Sequence, residues 1–173
     1  MGSTVSHKPM SKIQHFVSWF EIPVYDIHRA AAFYNAIYGI EMEVSVNGDF
    51  AMAYFPAHHG IGGALIAGPG CFPSDIGSLI YLNAGSDLDA VLGKVELAGG
   101  RVIMPKSLIS EAAGYFALFI DSEGNRLALH EGADGAKRAV KSASTAAKKK
   151  AAGASKAAPR KAAAKKAAPR KRA

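Results

Sequence analysis

Six histidines, one cysteine and a dense run of lysines and arginines are the side chains of this 173-residue chain with the most obvious chemical uses. His58 and His59 sit side by side between Pro56 and Gly60. That is a loop composition, from which two imidazoles can reach a ligand or simply stay solvated. His28 falls in the first turn of an expected helix, His7 in the N-terminal segment and His15 just before an expected strand; none has a neighbour that suggests chemistry. Cys71 is the single cysteine, so no disulfide closes within the chain and no CxxC zinc pattern exists. Gly70 and Phe72 beside it supply no charge to activate a thiol. Gly68-Pro69-Gly70 is a turn and not a phosphate loop, having neither GK[ST] nor a helix directly after a strand. Met42, Met52 and Met104 read as core fillers.

The basic residues carry the concentrated signal. Residues 136–173 hold fourteen of the 21 Lys and Arg together with sixteen alanines, and no acid or aromatic. All fourteen acids lie in residues 1–135, against seven bases. The net charge of +7 therefore divides into −7 on the body and +14 on the tail. AAPRK occurs at 157–161 and again at 167–171, and Pro159 and Pro169 would interrupt a helix. Like charges with almost no branched aliphatics cannot build a core, so the tail is expected to be disordered when free. Lys148, Lys149, Lys150, Arg160, Lys161, Lys165, Lys166, Arg170, Lys171 and Arg172 are the expected contacts to a nucleic-acid backbone. Such contacts would be independent of base sequence. Acidic lipid headgroups are the alternative polyanion. The composition resembles the Lys/Ala-rich tails of linker histones.

The elements of the body come in a repeated order. Residues 13–24 read as a half-buried strand. Asp26 caps a helix whose apolar positions Ile27, Ala30, Ala31, Tyr34, Ile37 and Tyr38 fall at helical spacing, and Gly39 stops it. Strands follow near 41–46, 50–55 and 63–67, and AGPGCFPSD is a linker. Then comes a strand at 79–83, a helix capped by Ser86 or Asp87 and stopped at Gly99-Gly100, and strands near 101–104, 115–120 and 126–130. Asp26 and Asp87 are 61 residues apart, as are Gly39 and Gly100. A cap and a stop repeated at one offset predict a duplicated βαβββ unit. The expected fold is therefore α+β: two modules, about 13–68 and 77–132, forming a curved-sheet cleft with helices outside, between a flexible segment 1–12 and the tail 136–173.

Two stretches carry a resemblance. FEIPVYDIHRAAAFYNAIYGIEM, residues 20–42, resembles the opening of a vicinal-oxygen-chelate domain, and GYFALFIDSEGNRLALHE, residues 114–131, the close of its second module. That superfamily includes glyoxalases, ring-cleaving dioxygenases and bleomycin-resistance proteins. Members that use a metal take ligands, usually His and Glu, from four strands. The resemblance carries those positions to Trp19, Ala64, Leu79 and Ala128, which offer no donor for a divalent cation. No cofactor is expected, and glyoxalase or ring-cleaving chemistry, which runs through the metal, is not implied. Strand alternation puts residues two away on the same inward face. Around Trp19 this adds Glu21, around Leu79 it adds Tyr81 and Asn83, and around Ala128 it adds Arg126 and His130. These six are the expected ligand-binding residues for a small polar molecule. Glu21 and His130 are the expected acid–base pair if the domain is instead a metal-independent lyase or isomerase acting on a carbonyl compound. A third alternative is an architectural nucleoid or chromatin protein with a dimerising body. Domains of this fold often pair, which implies a homodimer.

The longest apolar run, residues 112–120, is far below the roughly 18–20 residues that span a bilayer, and the first fourteen residues contain no secretory-type apolar stretch. With one cysteine, a cytoplasmic location is expected. The tail adds association with nucleic acid in a nucleoid or chromatin.

Overall fold

The structure is a computed structural model that describes residues 15–134. The expected N-terminal segment and the basic tail lie outside those residues. After strand β1 (Trp19–Pro23) the backbone of Asp26 is still extended, and its carboxylate accepts the amides of His28 and Arg29 at 3.0 Å each. This satisfies two of the unpaired donors that begin helix α1 (Ile27–Tyr38). Gly39 closes the helix with φ 67°, a left-handed conformation that a side chain would resist. Strands β2 (Val44–Asn47), β3 (Phe50–Tyr54) and β4 (Gly62–Ala67) complete the first module. The second contains β5 (Tyr81–Asn83), α2 (Leu88–Leu92), β6 (Arg101–Ser110), β7 (Gly114–Ile120) and β8 (Arg126–Glu131).

The two four-stranded sheets have equivalent orders, β1-β4-β3-β2 and β5-β8-β7-β6. In each, the first strand pairs in parallel with the last, and the other pairs are antiparallel. The expected α+β pair of βαβββ modules is present. Alternate residues on each strand face the helices: Ile22, Ala53 and Leu65 in the first sheet, and Leu82, Phe119 and Leu129 in the second, are all buried. Both sets belong to one hydrophobic core. Phe33 of α1 stacks on Phe119 of β7 with ring centroids 6.2 Å apart, so the modules join through their helix-bearing faces.

A polar seam ties the same junction. The turn between β7 and β8 sends Asp121 to accept the Tyr34 hydroxyl at 2.8 Å and the Asn125 amide at 2.9 Å. The same Asn125 amide nitrogen donates to the Pro23 carbonyl at 2.8 Å. Buried Glu123 accepts the amides of Tyr25 and Asp26 at 3.1 Å each and the Arg29 guanidinium at 2.7 and 2.8 Å. It thereby places a negative charge at the N-terminus of α1, where the helix dipole favours one. Glu131 does the equivalent for α2: it accepts the Leu88 amide at 3.0 Å and the Lys106 ammonium at 2.8 Å.

Strands β1 and β2 begin later than expected, at Trp19 and Val44, and three further elements differ for local reasons. The second helix is regular only to Leu92, after which i→i−3 bonds from Lys94 and Val95 carry the chain in turns toward Gly99. Gly93 falls where the helix would continue, and Gly costs about 1 kcal/mol against Ala in a helix interior. Strand β5 keeps only three residues. Strand β6 instead runs on to Ser110, past Pro105. It lies at the sheet edge, where proline deprives no neighbour of a donor, and register shifts absorb the irregularity.

Candidate functional site

The faces turned away from the helices carry the expected site residues. On the second sheet, register places Tyr81 beside Ala128 and Asn83 beside His130, with Phe116 opposite His130 on β7. The Tyr81 ring lies 6.2 Å from Phe116 and meets His130 edge to face at 6.4 Å and 82°. His130 Nε2 is 2.8 Å from the Ala113 carbonyl. A carbonyl only accepts, so Nε2 carries the hydrogen in this bond and Nδ1 is left as the acceptor of the neutral ring. Among the described residues Nδ1 has no hydrogen-bond partner. The Asn83 carbonyl oxygen accepts the Gly85 amide at 2.8 Å, and its NH₂ has no acceptor among the described residues. Arg126 follows two residues before Ala128 on the same face and is half-buried.

On the first sheet, Trp19 Nε1 donates to Glu21 Oε1 at 3.3 Å, and the Trp19 ring sits 6.3 Å from Tyr54. Gly62, opposite Trp19, leaves room for the indole: a Cβ there would come within 2.9 Å of the ring and oblige it to shift. The structure thus brings together Trp19 with Glu21, and Tyr81 with Asn83 and His130. It does not join the two groups, since Glu21 and His130 lie on different sheets with no hydrogen bond between them.

The four positions at which the resemblance would place metal ligands hold an indole and three hydrocarbons, at Trp19, Ala64, Leu79 and Ala128. That donor set does not fit a divalent cation. Among the described residues no group of three or more His, Cys, Asp or Glu is placed to hold one. No helix among them is long and apolar enough to cross a membrane.

A concavity that the sequence did not reveal lies on the other side of β5. A cavity of about 950 Å³ opens between the modules, with Phe20, Tyr38, Phe55, Ile80 and Val91 among its walls and His59 at its lining. The spacing of Tyr38 places it in the apolar stripe of α1, which it does extend. Its hydroxyl, however, is buried with no hydrogen-bond partner among the described residues. Burial pushes this phenol well above its usual range, so it stays protonated. Helical spacing marks Tyr38, like Tyr34, as part of the stripe and carries no sign of the cavity beside it.

No protein-family model and no curated protein matches the sequence. Among solved structures, the chain is similar to a glyoxalase/bleomycin resistance protein from Albidiferax ferrireducens T118, with 20% identity over 68% of this chain and 98% of that one and a TM-score of 0.51. It is similar to the fosfomycin resistance protein FosX from Listeria monocytogenes, with 18% identity over 70% and 95% of the two chains and a TM-score of 0.53. A third likeness is to a glyoxylase/bleomycin resistance protein/dioxygenase domain from Frankia sp. EAN1pec, at 17% identity over 71% and 98% and a TM-score of 0.52. At such identities it is the architecture that is held in common: the body of this chain has the glyoxalase/bleomycin resistance protein/dioxygenase fold.

Proposed function

We propose that the chain is a small-molecule-binding domain that takes a polar ligand on its open sheet faces, through Trp19, Glu21, Tyr81, Asn83, Arg126 and His130, without a metal. The observation that supports this best is the group on the second sheet. Tyr81 and Phe116 form an aromatic floor, His130 is fixed through Nε2 with Nδ1 open, and the Asn83 NH₂ has no acceptor among the described residues. An apolar floor with a few converging polar groups is the usual composition of a small-ligand site. Because Trp19 and Glu21 stand on the other sheet, the complete site is shared between two copies, the first sheet of one protomer covering the second sheet of its partner. Trp19, Phe50, Tyr54 and Tyr81, each between 42% and 50% exposed, give such an interface apolar area. The same placement favours a second reading, a lyase or isomerase in which Glu21 of one protomer works with His130 of its partner. The tail tethers the domain to nucleic acid, a reading supported by fourteen positive charges in 38 residues.

Native mass spectrometry of the freshly purified full chain tests the binding reading. The expected species is a dimer that retains a small molecule and no stoichiometric divalent metal, with the ligand lost in His130→Ala and in Trp19→Ala. A monomer at tens of micromolar, or one metal per chain removed by chelator, defeats it. Turnover that disappears in Glu21→Gln decides for the enzyme. Retention on unrelated DNA duplexes tests the tail. The log–log salt slope approaches about −12 if all fourteen charges engage, and replacing them by glutamine abolishes retention. A clear preference for one sequence contradicts the tether.

A further inference from the structure

The cavity between the modules is separate from the open faces, although Tyr81 and Asn83 border both. Its walls come from three sources. Phe20 and Phe55, whose rings lie 5.7 Å apart, close it from the first sheet. Tyr38 and Ile40 close it from the end of α1, and Ile80, Leu82 and Val91 from the second module. No Lys, Arg, Asp or Glu lines it. No carboxylate is there to pair an amine, and His59 is the one side chain among its lining residues that could pair an anion, so an uncharged occupant suits these walls best. The walls are nevertheless not purely hydrocarbon: His59, Ser78 and Asn83 belong to them, and Tyr38, which borders the cavity, ends in a buried hydroxyl with no partner among the described residues. Buried polar groups in folded proteins are almost always hydrogen-bonded, and an unmet one needs an explanation. Other buried polar side chains at the module junction are met: Tyr34, one turn earlier on the same helix, donates to Asp121.

We propose that this cavity is a second binding site, for an uncharged and mainly apolar small molecule that presents one hydrogen-bond acceptor, such as a ketone or amide carbonyl, to the Tyr38 hydroxyl. The volume of about 950 Å³ accommodates a fused-ring compound of ordinary ligand size. Phe20 shapes the wall through Gly63, where a Cβ would fall within 2.5 Å of the Phe20 ring. The phenyl ring therefore lies flat across β4, and adding a methyl at 63 drives it out of place. This site does not depend on the ligand proposed for the open faces, and residues placed there, such as His130, do not touch it.

Two fluorescent naphthalenes, measured on the full chain, form the test. Prodan is uncharged and carries a ketone; N-phenyl-1-naphthylamine is uncharged, of similar size, and carries no carbonyl. Both are expected to saturate at one per chain with blue-shifted emission. Tyr38→Phe weakens Prodan by about tenfold, the worth of one hydrogen bond, and leaves N-phenyl-1-naphthylamine within twofold. Gly63→Ala weakens both, and His130→Ala changes neither. The melting temperature of Tyr38→Phe equals or exceeds that of the parent, because the hydroxyl has no partner among the described residues to lose. Failure of both probes to saturate, an equal effect of Tyr38→Phe on the two, or a clear drop in its melting temperature overturns the proposal.

Discussion

Helix α1 has two unlike ends. At its N-terminus Asp26 caps the first amides and Glu123 arrives from the other module with Arg29 as its ion partner, and two turns further on Tyr34 finds Asp121. At its C-terminus, one turn beyond Tyr34, Tyr38 borders a cavity and its buried hydroxyl has no partner among the described residues. The same residue type, on the same face of one helix, is a structural bond in one case and an unspent donor in the other. What separates them is the partner element: the β7–β8 turn closes over the first end, whereas β5 and the loop before β4 stand off from the second. Satisfied polar groups at a module junction hold the modules in register. An unsatisfied one beside open volume is what a ligand can exploit.

The contrast can be broken most severely at Asp121. Its carboxylate accepts Tyr34, the Asn125 side chain and the amides of Glu123 and Asn125. Asp121→Ala strands all of these donors in a buried seam and should cost about 3–5 kcal/mol in urea unfolding. A loss below about 1 kcal/mol would mean that the seam does not hold the modules. A sharper comparison is the matched pair Tyr34→Phe and Tyr38→Phe. The first should destabilise by about 1–2 kcal/mol, while the second should leave stability unchanged or raised. Equal effects would erase the distinction between the two ends.

The smallest effect is a pH dependence. Burial pushes the Glu123 carboxyl up, but the Arg29 hydrogen bond and the Asp26 and Tyr25 amides outweigh it, so its pKa falls below 4.5. A carboxyl lowered by folding stabilises fully above its unfolded value and loses that contribution as pH falls through its folded value. Stability should therefore decline on the acid side of about pH 4.5, and Glu123→Gln should flatten that decline while lowering stability at pH 7. Parallel acid limbs for the two proteins would remove Glu123 from the account.

Much of this was legible from residues alone. Asp26 and Gly39 announced both ends of α1, and the 61-residue offset announced the second module. Alternation along β5 and β8 placed Tyr81, Asn83 and His130 on one face. The rest depended on partners distant in sequence. Nothing local in 121–125 says that its carboxylates will serve a helix almost a hundred residues earlier. Pro105 is tolerated because β6 is an edge, which only the assembled sheet decides. Glu21 and His130 looked like neighbours because each faces inward on its own strand, but which faces meet is a property of the packing of whole modules. Concavity has no periodicity, so the cavity at Tyr38 left no pattern to read.

The junction seam also has a consequence for the order in which the chain folds. The Tyr34–Asp121 and Pro23–Asn125 bonds connect residues 87 and 102 positions apart. The antiparallel ladders β2–β3–β4 and β6–β7–β8, by contrast, join neighbouring segments through short connections. Closing a long loop costs entropy before any contact rewards it, and domains dominated by such distant pairings fold slowly. The ladders should therefore form first and the seam late, leaving Phe33 and Phe119 uncovered for a time. During synthesis the first module waits for residues 121–125 to emerge. Over that interval the apolar face of α1 depends on chaperones or on speed for its protection.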